Sequence, residues 1–152
     1  MSIRHATVQD FDRIMELMVK FANAAVYTPF HNPQYNDSYI RRLLTTFMQN
    51  GCILLGEKDD KVQGMLIAVA NGDTWLPEVI TLKELAWWVE PEYRNTTLGY
   101  KLLAEYIKLG KGLTETGKIQ GFTLTNMVNS PDFDFESRGW DKVETNYIWN
   151  GA

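Results

Sequence analysis

Between Val89 and Tyr100 the chain reads Val-Glu-Pro-Glu-Tyr-Arg-Asn-Thr-Thr-Leu-Gly-Tyr, a polar turn carrying an arginine, two threonines and a glycine. An apolar, aromatic-rich strand precedes it (Leu85, Ala86, Trp87, Trp88, Val89) and breaks at Pro91. A helical pattern with Leu102, Leu103, Tyr106 and Ile107 on one face follows. A turn that leads from a buried strand into a helix leaves first-turn N–H groups without intrahelical acceptors. The positive end of the helix dipole lies behind them and Arg94 stands at the mouth. The segment therefore suits a phosphate-bearing ligand. Its gripping groups would be the main-chain amides of Asn95, Thr96, Thr97, Leu98, Gly99 and Tyr100, with the Thr96 or Thr97 hydroxyl as a further donor.

Upstream of the turn, Glu84 is the carboxylate of an otherwise apolar strand. Burial there would raise its pKa towards a value useful to a general base. Alternation along the strand places Glu84 on the face of Ala86 and Trp88. The structural alternative is a polar residue near a strand end, ion-paired with an arginine. Glu90 and Glu92 flank Pro91 in the turn and are read as solvated.

The elements that must hold these residues are legible from periodicity. Ile3 to Ala6 is a short strand, and Thr7 caps a helix with Asp10 three residues on. Phe11, Ile14, Met15, Met18, Phe21, Ala22 and Ala25 form its apolar stripe. Residues 27–37 are a proline- and asparagine-rich loop. A second helix from about Ser38 turns Tyr39, Ile40, Leu43, Leu44, Phe47 and Met48 inward and ends at Asn50-Gly51. Cys52 to Glu57 and Val62 to Ala70 are strands joined by a tight turn at Lys58-Asp59-Asp60-Lys61. After the loop from Asn71 to Ile80 and the central strand, the next helix weakens near Gly110 and Gly112. Ile119 to Thr125 reads as a strand, Pro131 to Ser137 as a short helix and Val143 to Trp149 as a final strand. The order is β-α-α-β-β-β-α-β-α-β.

At 152 residues the chain is one domain, residues 1–152, large enough for a single core. Net charge is −4 and cations form no runs, which argues against a nucleic-acid-binding module. Apolar runs are too short to span a bilayer and the N-terminus lacks a signal-peptide shape, so a cytoplasmic location is expected. Cys52 is the single cysteine, read as a buried structural thiol. No spacing of His5 or His31 suggests a metal.

The strand ending in Val89-Glu90-Pro91, the Arg94-Asn95-Thr96-Thr97-Leu98-Gly99 turn and the element order resemble the GCN5-related N-acetyltransferase (GNAT) family. Thr97 stands where the first motif glycine would be; Gly99 is the second. The segments reading ELAWWV and PEYR, with the tail FESRGWDKVETNYIW, are similar to small phage and bacterial acetyltransferases. The resemblance implies an α/β fold with a mixed central sheet of six or seven strands and helices on both faces. It implies acetyl-CoA (coenzyme A) as cofactor and transfer of an acetyl group to a primary amine of a small molecule, protein or peptide by direct attack. Main-chain N–H near Trp88 or Val89 would face the thioester oxygen, and Glu84 would take a proton from an amine of pKa near ~10.4. Of Asn126 and Asn129, which follow the fifth strand where relatives use an asparagine to bind the pantetheine arm, Asn129 is the nearer match.

Relatives carry a tyrosine as general acid where this chain has Phe135. Tyr147, Tyr106 or Tyr100 could replace it, and the sequence selects none. The two loops, with Tyr27, Phe30, His31 and Trp75, would flank the acceptor cleft. Homodimerisation is allowed by the resemblance. A non-catalytic module binding a CoA species or a partner protein is the other reading, favoured by Thr97 and Phe135.

Overall fold

The computed structural model describes residues 1–151. Five strands form one sheet in the order β1 (Ser2–His5), β2 (Gly51–Lys58), β3 (Lys61–Gly72), β4 (Ile80–Val89) and β5 (Gly121–Thr123). The first four are antiparallel to their neighbours and β5 runs parallel to β4. Helices α1 (Phe11–Ala24) and α2 (Asp37–Gln49) cover one face, and α3 (Leu98–Glu115) covers the other. Each face has its own core. Ile14, Leu17, Leu44, Leu55, Met65 and Ile67 pack on the α1/α2 side. Leu54, Leu66, Leu82, Leu98, Leu102 and Tyr106 pack on the α3 side. Because both faces are covered, the middles of β2 and β3, Cys52 to Leu55 and Met65 to Ala70, are apolar at every position rather than alternating.

Local chemistry explains most boundaries. The Thr7 N–H donates to the Asp10 carboxylate at 2.8 Å, and a single 3-10 turn (Val8–Asp10) leads into α1. Asn36 caps α2 by accepting the Tyr39 N–H, so that helix begins one residue earlier than the apolar pattern indicates. The hairpin between β2 and β3 turns on Asp59 and Asp60, with φ of 54° and 59°. This is the left-handed pair that a two-residue turn demands and that aspartate tolerates. Tyr39, read as inward-facing, is 55% exposed.

The expected six or seven strands are not formed. Val143–Trp149 alternates like a strand but pairs with no edge among the described residues, and Tyr147 and Trp149 stand 93% and 78% exposed. Pattern alone cannot make a strand; it needs a neighbour's hydrogen bonds, and β5 pairs over only three residues. The helix expected at 131–137 contracts to one 3-10 turn, Glu136–Arg138, closed by Gly139 at φ 89°. In the other direction, α3 continues past Gly110 and Gly112 to Glu115. Gly110 is there because a Cβ would sit 2.6 Å from the ring of Phe122 on β5.

Candidate active site

The site grows from the way β4 loses its two neighbours. Against β3, Ile67 pairs with Ala86 but Ala68 pairs with Glu84, so Leu85 is an extra residue. This bulge breaks the alternation expected for the strand. Ala86 and Trp88 face α1 and α2, whereas Glu84 sits opposite Ala68 on the α3 side. Against β5, pairing stops at Lys83 and Thr123. Beyond that rung the chains part, and the Glu84 carboxylate takes the Thr125 N–H at 3.0 Å. Glu84 is 6% exposed, and burial pushes its pKa up from 4.5 to about 7, against the pull of the Thr125 N–H. It is therefore poised to exchange a proton near neutral pH.

Past the bulge, strand geometry fixes which amides enter the gap. The Glu90 N–H donates to the Gln63 carbonyl on β3 at 2.8 Å. Alternate residues of β4 turn their amides to opposite edges, so Trp88 also faces β3 while Trp87 and Val89 face the open side. The Val89 carbonyl confirms this direction, since it accepts from Arg94 Nε outside the sheet at 2.9 Å. Of the two residues singled out from sequence, Val89 offers its N–H to the gap and Trp88 does not. Trp87, which pattern reading left aside, joins Val89.

The turn then delivers donors at the same end of β4. A 3-10 turn (Pro91–Tyr93) begins it, and Thr96 Oγ1 donates to the Tyr93 carbonyl at 2.6 Å and accepts the Leu98 N–H at 3.3 Å. The Lys101 N–H reaches the Thr97 carbonyl at 2.9 Å. The N–H groups of Gly99 and Tyr100 have no acceptor among the described residues. Thr97 has φ −81°, so this position needs no left-handed backbone and a threonine fits without strain. Gly99 is not required by packing either: a Cβ would meet nothing closer than Val89 at 3.5 Å. A glycine without a packing need leaves this backbone open to the close approach of a ligand. Together, free amides, a bare helix start and an open strand edge fit a pyrophosphate with an arm lying along β4.

Arg94 is anchored rather than free. Its guanidinium stacks 4.5 Å from the Trp88 ring, and Trp88 Nε1 donates to Glu90 at 3.1 Å. Glu90, read as solvated, is 6% exposed and ion-paired with Lys20 of α1 at 2.6 Å. Burial opposes its ionisation, but the Lys20 and Trp88 bonds outweigh it and hold the carboxyl below its ordinary range. This network fastens the turn to α1; its partners are 70 residues apart, beyond any local pattern. A cleft of about 570 Å³ opens beside it, lined by Arg13, Lys61, Gln63, Glu90 and Tyr93, but it contains neither Glu84 nor Val89.

The remaining predicted residues divide. Asn129 lies at the end of α1, where Nδ2 donates to the Ala24 carbonyl at 2.8 Å, and not at the turn. It thereby ties the segment after β5 to the last residue of α1, just ahead of the loop holding Tyr27, Phe30 and His31. In that loop Tyr27 and Phe30 meet edge to face at 5.2 Å, and His31 Nε2 donates to the Ala25 carbonyl at 2.6 Å. Trp75 stands apart, 87% exposed on the loop before β4, at the end of the strand away from the turn. Phe135 packs against Phe133 and Trp140, so no hydroxyl is offered there. Arg138, unnoticed in the sequence, lies 5.7 Å over the Tyr100 ring and adds a cation beside the start of α3. Cys52 is buried with its thiol pKa pushed up to about 12, the state of a structural residue. Among the described residues there is no cluster of three metal-ligating side chains and no helix long and apolar enough to cross a membrane.

Comparison with known proteins bears on the fold and the family. No curated protein sequence matches the chain. Among solved structures, a Trypanosoma brucei acetyltransferase superposes with a TM-score of 0.68 at 14% identity, over 98% of each chain. An aminoglycoside acetyltransferase from an uncultured soil metagenomic sample, in complex with sisomicin, gives 0.67 at 13% identity, over 97% of this chain and 95% of its own. A ribosomal-protein-alanine N-acetyltransferase from Brucella melitensis gives 0.59 at 18%, over 74% of this chain and 68% of its own. Such identities speak for the fold alone. The family itself is shown by sequence: the model of the acetyltransferase (GNAT) family matches residues 12–130, and the chain is a member of that family.

Proposed function

We propose that the protein is an acetyl-CoA-dependent N-acetyltransferase acting on a primary amine. The observation that carries this is the parting of β4 from β5 with a buried carboxylate at its apex and free amides along its edge. Members of the family generally use acetyl-CoA, which supplies an activated acetyl group as a thioester. Gly99 and Tyr100 amides would hold its pyrophosphate, with Arg138 and the helix dipole adding favourable charge. The Val89 N–H would donate to the thioester oxygen, where negative charge develops during attack. Glu84, half ionised near neutrality, would take the amine proton directly or through water.

Two acceptor types fit that chemistry, small polyamines of the aminoglycoside kind and a peptide N-terminus, because both present an unhindered primary amine. The open loop with Tyr27 and Phe30 offers aromatic edges to either. The test is release of free thiol from acetyl-CoA in the presence of aminoglycosides, polyamines and short peptides. Turnover with at least one amine, slowed in Glu84→Gln, supports the reading. Acetyl-CoA binding with no turnover across the whole panel would support a non-catalytic CoA-binding module instead.

A further inference from the structure

We infer that Tyr106 is a positioning residue that fixes where β4 and β5 separate. The inference rests on the acetyl-CoA reading above and names a determinant of the same site. Tyr106 comes from the middle of α3, is fully buried, and directs its hydroxyl at the two strands together. The hydroxyl lies 2.8 Å from the Thr123 carbonyl on β5, in the last paired rung, and 3.2 Å from the Leu82 carbonyl on β4, one rung before it. One proton is shared between two carbonyls of adjacent strands, so the group ties the last two rungs together from the α3 side. Two residues past the end of β5, the Thr125 N–H goes to the Glu84 side chain and not to a ladder carbonyl. Tyr106 thus holds the last closed rung and Glu84 the first open one.

The ring has little freedom to move. Phe122 meets it edge to face at 5.8 Å, Trp140 backs Phe122 at 5.4 Å, and Phe122 itself lies against Gly110. A hydroxyl in so fixed a frame holds the apex in one place. Without it, the last rung loses its common donor and the apex is free to slide. The amides of Trp87 and Val89 then no longer line a gap of constant width. The nucleotide end of the cofactor, held by the turn, would not sense this change. The arm entering the gap would.

Calorimetry with acetyl-CoA and with phosphoadenosine diphosphate, the nucleotide end without its pantetheine arm, separates the two. For Tyr106→Phe the expected result is about a tenfold rise in Kd for acetyl-CoA and an unchanged Kd for the nucleotide. Leu102→Val, a buried change on the same helix, should leave the ratio of the two affinities as in the wild type. Equal effects of Tyr106→Phe on both ligands, or on neither, overturn the inference. A wild-type protein that binds neither ligand removes the acetyl-CoA reading itself. Amide exchange on the wild type gives a second test that needs no variant. The Trp87 and Val89 amides should exchange freely and become protected by acetyl-CoA but not by the nucleotide; protection in the free protein contradicts the open apex.

Discussion

Glu84 accepts the main-chain N–H of Thr125, 41 residues away, across the point where two parallel strands stop pairing. A side chain here does the work of a ladder carbonyl, so the sheet can open without leaving the amide unsatisfied. The cost falls on the carboxylate. Burial makes its charged form unfavourable, and this links stability to pH.

For Glu84 the folded protein binds the proton more tightly than the unfolded chain, with a pKa of about 7 against 4.5. Its contribution to stability is therefore complete below the lower value and is lost as pH rises through the higher one. The loss amounts to about 3 kcal/mol. Glu84→Gln keeps an acceptor for Thr125 and has nothing to ionise. Denaturant titrations should show the variant more stable than wild type at pH 8 and the advantage gone at pH 4.

Asp10 gives the opposite sign. Arg4 bonds it through two nitrogens at 2.8 Å and also reaches Glu57, joining β1, β2 and the start of α1. The Arg4 hydrogen bond, opposed by burial, lowers the Asp10 pKa from 3.8 to about 2. That stability is present above the ordinary carboxylate range and disappears as pH falls through about 2. Asp10→Asn should lose about 1 kcal/mol at neutral pH, a modest figure because Arg4 is partly exposed. The difference from wild type should vanish in acid unfolding below pH 2.

Gly99 separates stability from binding. A Cβ there meets only ordinary contacts, and Gly→Ala at a position the backbone allows stabilises by about 0.4–1 kcal/mol. Gly99→Ala should therefore raise the melting temperature by a few degrees while weakening acetyl-CoA binding about tenfold. A stabilised variant with unchanged affinity would show that no ligand approaches this backbone.

Gly110→Ala should do the reverse of what propensity predicts. The added methyl would meet the Phe122 ring at 2.6 Å, and overpacking of this kind costs about 1–3 kcal/mol. Phe122→Leu in the same chain should recover part of the loss, measured by thermal unfolding.

The sequence made some of this plain and hid the rest for identifiable reasons. The stripe of α1, the Lys58–Lys61 hairpin and the strand-turn-helix around Arg94 depend on residues close in sequence, and all are present. The bulge at Leu85 was invisible because Leu82, Glu84, Ala86 and Trp88 alternate without a break; only register against β3 reveals it. It decides that Glu84 faces α3. Glu90 read as a turn residue because Lys20, which buries it, lies on another helix. Val143–Trp149 carried a strand's alternation and lacked an edge to join. Gly110 read as a helix weakness because the Phe122 ring it accommodates is a tertiary contact.

The most direct test of the central claim is the pH dependence of acetyl transfer to whichever amine is accepted, in wild type and Glu84→Gln. We expect the wild-type rate to climb through an apparent pKa of about 7 to a plateau. The variant should be slower by about 10²-fold or more and lack that limb. A variant with the same rate and the same profile would contradict Glu84 as the proton acceptor.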